Sequence, residues 1–90
     1  MDYGQKIGSI KLNTIAEVKR FPDIVTQFES DISLVHKRSV IDGTSLMGIF
    51  SLDLSEPVDL YIVERNEGDK DRLISQLKAE GYDLCQDSVW

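Results

Sequence analysis

His36 and Cys85 are the only imidazole and the only thiol in the 90 residues, so nucleophilic or general-base chemistry has few places to sit. Cys85 has no neighbouring base or second ligand in the chain, which argues against both catalysis and metal binding. His36 shares the parity of Ile32 and Leu34 in an alternating run, the pattern of a half-buried residue at a strand end. Thr14 and Glu17 fit S/T-x-x-E, in which each side chain satisfies a free backbone N–H at a helix start. Ser45 stands where it caps a short helix. The chain offers no catalytic pair, no metal cluster and no glycine-rich phosphate loop. The expectation is therefore a protein that is not an enzyme, with no catalytic residue, metal or cofactor.

The elements that hold these residues follow from periodicity. Ile10 and Leu12 alternate with polar neighbours and predict a strand over about residues 6–12. A helix from Ile15 to about Glu29 carries Ile15, Val18, Phe21, Val25 and Phe28 on one face. Pro22 either kinks that helix or begins it, and the continuous apolar face favours one kinked helix. Strands are expected at Asp31–His36 and Ser39–Asp42, joined by a tight turn at Lys37-Arg38. A short helix should run from Ser45 to about Leu52. Val58–Val63 is the clearest strand. Asp69 opens a last helix, with Leu73, Ile74 and Leu77 inward, and Gly81 closes it in a left-handed cap. The order βαββαβα predicts an antiparallel or mixed sheet with helices on one face.

Ninety residues make one domain, with a core expected over about residues 7–82. Sixteen acidic against ten basic residues give a net charge of −6, so the chain repels polyphosphate backbones and nucleic acid is not an expected partner. A lone cysteine, no signal-peptide pattern and no long apolar run point to a cytoplasmic protein that does not engage membranes.

Specific segments carry a resemblance to a known family. Thr44-Ser45-Leu46-Met47-Gly48-Ile49-Phe50-Ser51-Leu52 resembles the K-S-I-M-G-V-M-S-L segment of HPr, the histidine phosphocarrier of the bacterial sugar phosphotransferase system. Phe28 to Leu34 resembles that family's entry into its second strand, and Asp69-Lys70-Asp71 its acidic opening to the last helix. The resemblance spans about Ile7 to Tyr82. It implies an α+β open-faced sandwich, with a four-stranded antiparallel sheet and three helices on one face. It also implies a regulatory phosphosite at Ser45 and a partner surface on the first two helices.

The chain departs from the family where the chemistry lies. HPr holds its phosphoryl group on a histidine in G-[IL]-H-A-R-P at the start of the first helix. Counting back from Phe28 puts Thr14 at that position and Ala16 at the arginine; aligning the prolines instead puts Lys19 at the histidine. A phosphocarrier needs a neutral nucleophile that forms a labile P–N bond. A threonine ester is too stable to pass its phosphoryl group on. Glu17 adds negative charge where the anion would sit, and Ala16 removes a clamping guanidinium. The expectation is a divergent HPr-like binding module that is not phosphorylated, with protein partners meeting Ile15, Ala16, Lys19, Leu46, Met47 and Phe50. The alternative is an active phosphocarrier using His36 or Thr14 as acceptor in phosphoenolpyruvate-dependent sugar uptake. Leu84, Val89 and Trp90 lie beyond the family's usual end, where they either fold back or serve a partner.

Overall fold

Eight elements follow one another along the chain: β1 (Gln5–Lys11), α1 (Ile15–Val25), β2 (Asp31–His36), β3 (Ser39–Asp42), α2 (Leu46–Phe50), β4 (Val58–Val63), α3 (Asp69–Ala79) and β5 (Asp83–Gln86). They come from a computed structural model that describes residues 3–86. The strands form one antiparallel sheet in the order β3-β2-β4-β1-β5.

Pairing follows the alternation read from the sequence. Ile32 lies opposite Ile62, Leu34 opposite Leu60 and Ile10 opposite Val58. Residues directly opposite one another in an antiparallel ladder project to the same side, so these six form one apolar face. Val18, Phe21, Ile24 and Val25 of α1, Ile49 of α2, and Leu73, Ile74 and Leu77 of α3 join them in a single core cluster. All three helices therefore cover the same face. Each fully buried large side chain is worth roughly 1.5–3 kcal/mol against its exposed state. The other face carries Lys6, Ser9, Ser33, Asp59 and Tyr61, with the Tyr3 ring edge-on to Tyr61 at 4.8 Å between centroids.

Among the described residues the sheet has five strands where four were expected. Asp83–Gln86 pairs antiparallel with β1, with Leu84 opposite Ile10 and Asp83 opposite Lys11. Four residues with one partly buried side chain leave almost no periodic signal, and it is the free edge of β1 that makes them a strand. Leu84 thus folds back onto the domain; Val89 and Trp90 lie outside the described residues.

Two helix ends also differ. α1 stops at Val25 rather than near Glu29, because Gln27 and Phe28 donate to Ile24 and Val25 in tight turns, at 3.1 Å each. Pro22 is buried inside a helix that begins at Ile15, so the reading in which a helix starts at the proline is excluded. α2 ends at Phe50, with Ser51 as its cap, rather than running to about Leu52. The remaining punctuation matches expectation: Lys37 takes φ 57° in the β2–β3 turn, and Gly81 takes φ 87° after α3.

Candidate functional site

The first turn of α1 is closed by its own side chains. Thr14, extended at φ −135°, accepts a hydrogen bond from the Glu17 N–H at 3.0 Å. The Glu17 carboxylate reaches back to accept from the Asn13 N–H at 2.8 Å. The pairing is the expected capping box, except that the carboxylate serves Asn13 instead of Thr14 itself. The Asn13 and Glu17 amides are thereby engaged, and the Glu17 carboxylate lies at the start of the helix.

Two cations near this turn, Arg20 and Lys11, are engaged as well. Arg20, one turn beyond Ala16, holds Glu80 through two contacts, Nε to Oε1 at 3.0 Å and Nη2 to Oε2 at 3.2 Å. Hydrogen bonding from Arg20 holds the Glu80 carboxyl below its usual range. Lys11 donates to Asn13 Oδ1 and to the Leu54 carbonyl, each at 3.2 Å. Tyr82 closes the back of the turn by donating its hydroxyl to the Glu17 carbonyl at 2.9 Å.

α2 lies beside α1 and against β3. Gly48 permits that approach, since a Cβ there would stand 2.7 Å from Ile41 Cγ2. Ser45 accepts from the Gly48 N–H at 3.1 Å, the expected N-cap, and its side chain is half-buried. Ile49 points into the core and Leu46 packs partly against it. Met47 stays 79% exposed and Phe50 38% exposed, and Ile15 on α1 is 60% exposed. Ala16 and Lys19 are exposed on the same helix. Ile15 therefore leaves the packing face on which its spacing had placed it. Position 15 is the first residue of α1; Pro22 and Ile24 are buried in its stead, while Phe28 packs partly against the core as its spacing placed it.

His36 is not near α1's first turn in the sequence of elements; it ends β2, with Nε2 2.8 Å from Glu56 Oε1 and a side chain 14% exposed. Among the described residues no group of three or more His, Cys, Asp or Glu side chains could hold a metal ion. Nor is any helix among them long and apolar enough to cross a membrane.

One exposed apolar residue escaped the sequence reading. Val40 on β3 is 42% exposed, and its signal was present, since the polar-facing position of a short edge strand holds a valine. A second feature had no local signal at all. An open crevice of about 680 Å³ between the α1–β2 turn and α3 is lined by the buried Asp69 together with Arg72 and Phe28.

Comparison with solved structures finds HPr-C-His from Thermoanaerobacter tengcongensis, whose crystal structure superposes with a TM-score of 0.60 at 23% sequence identity. The match covers 86% of this chain and 84% of that one. No protein-family model and no curated protein matches the sequence. The likeness establishes the HPr-like fold: α+β, an antiparallel sheet and three helices.

Proposed function

We propose that this chain is a protein-binding module of HPr-like fold that does not carry phosphate, and that it meets its partner with the paired surface of α1 and α2. One observation carries the reading: on two adjacent helices, Ile15 and Met47 are mostly exposed and Phe50 keeps over a third of its surface in solvent. Exposed apolar groups gathered on neighbouring elements are the usual mark of an interaction surface. Ala16 leaves the backbone approachable there, Lys19 supplies charge, and Leu46 supports the patch from beneath.

The capping box supports the second half of the proposal: in the register that puts Thr14 at the family's histidine position, the threonine oxygen accepts from the Glu17 N–H and the Glu17 carboxylate lies beside it on the Asn13 N–H. A carrier acting through His36 has to accommodate the Glu56 carboxylate against its Nε2. Incubation with phosphoenolpyruvate and the first enzyme of a phosphotransferase system tests this half. No acid-labile phosphate is expected, and stoichiometric phosphohistidine at His36 overturns it. The binding half is tested by capture of partner proteins from a lysate with wild type and with Met47→Ser/Phe50→Ser. Equal capture by both folded proteins moves the interface away from α2. Ser45 and regulation through it stay with the proposal as an expectation from the family resemblance.

A further inference from the structure

Among the described residues, strand β5 is attached to the sheet through β1 alone. Asp83, Cys85 and Gln86 are exposed, and only Leu84 packs partly against the core. Its seat on β1 is a glycine. A Cβ at Gly8 would stand 2.3 Å from the Cys85 carbonyl oxygen and 2.8 Å from Gln86 Cα, both backbone atoms of β5. Position 8 therefore admits no side chain while the strand is docked. The near end of β5 is anchored firmly. Tyr82 is buried, donates its hydroxyl to the Glu17 carbonyl at 2.9 Å and its N–H to the Leu77 carbonyl at 3.0 Å. Past that anchor, among the described residues, the strand holds on by its ladder, by Leu84, and by Lys78 Nζ to Gln86 Oε1 at 2.6 Å.

We infer that β5 is a strap that opens about the Tyr82 anchor as a unit of its own, and that its docked state guards the β1 edge against pairing with a second chain. Segments with little buried apolar surface open at a lower free energy than the core. An uncovered strand edge presents a row of unpaired donors and acceptors. At Gly8 that edge also has no side chain to keep another backbone away. The inference is independent of the α1–α2 surface, which lies on other elements.

Native-state hydrogen exchange on the whole chain, followed by NMR, tests it. The β5 amides, with the β1 amides that face them, should exchange about tenfold or more faster than those of the β1–β4 ladder. Leu84→Ala should widen that gap while leaving the β1–β4 ladder protected, and should add concentration-dependent self-association in sedimentation. Gly8→Ala should act in the same direction. Equal exchange of β5 and β4 amides in the wild type overturns the strap. A Leu84→Ala protein that loosens β5 yet stays monomeric at every concentration overturns its guarding role.

Discussion

The Ser30 hydroxyl donates to Asp69 Oδ2 at 2.8 Å across 39 residues of chain, and both side chains are buried. Ser30 also accepts from the Arg65 N–H at 2.9 Å, while Arg72 and Asn66 reach Asp69 Oδ1. One hydroxyl thus joins the start of β2 to the loop that leads into α3, and one carboxylate fixes the first turn of α3. Burial pushes the Asp69 carboxyl up, but hydrogen bonds from Ser30 and Arg72, with the guanidinium charge, outweigh it and hold the group below the usual carboxylate range.

The sign of the pH dependence follows. A carboxyl more acidic in the folded than in the unfolded chain contributes fully above the unfolded value of about 4. That contribution is lost as pH falls through the lower, folded value. Asp69→Asn should therefore lower Tm at pH 7, and the difference from wild type should shrink as the solution is taken below pH 4. Thermal melts across that range check it; a difference that stays constant with pH would assign the effect to packing alone.

Thr14→Ala removes the oxygen that accepts from the Glu17 N–H and should cost about 0.5–2 kcal/mol, the usual range for an N-cap. Denaturant unfolding measures this directly. An unchanged midpoint accompanied by loss of partner binding would make Thr14 a contact residue instead of a cap.

Phe50 and Phe21 provide an internal contrast. Phe21 is fully enclosed, so Phe21→Ala should cost about 3–5 kcal/mol and threaten folding at room temperature. Phe50 keeps over a third of its surface in solvent, so Phe50→Ala should cost much less and leave a folded domain with weakened partner capture. Comparable losses of stability in both variants would place Phe50 in the core and remove an anchor of the proposed surface.

Tyr82 is pushed up to about 12 by burial, with Glu80 and Glu17 adding to the effect and Arg20 opposing it. Because the folded phenol resists ionisation, its contribution is complete below the unfolded value of about 10 and declines as pH rises above that. Tyr82→Phe should lose about 0.5–1.5 kcal/mol at neutral pH, the worth of one hydrogen bond, here the one to the Glu17 carbonyl. Part of the alkaline destabilisation above pH 10 should vanish with it. Equilibrium unfolding of the two proteins at pH 7 and pH 11 compares both effects.

Much of this molecule is local, and local features are written in the sequence. The alternation of Val58, Leu60 and Ile62, the Thr14–Glu17 pair, the Ser45 cap and the left-handed Gly81 each depend on neighbours within four residues. Four strands and three helices were legible for that reason, and the segment from Thr44 to Leu52 was specific enough to suggest the fold. The tertiary structure decided what depends on distant partners. β5 exists because β1 has a free edge with Gly8 beneath it, and nothing within Asp83–Gln86 states that. Helical spacing placed Ile15 on the packing face while the family resemblance placed it on a partner surface, and only the tertiary structure decided that it is exposed, since spacing gives a face but not where the helix first touches the sheet. The Ser30–Asp69 bond was equally invisible. A serine and an aspartate 39 residues apart are ordinary surface residues until folding removes water from both, and only then does each become the other's necessary partner.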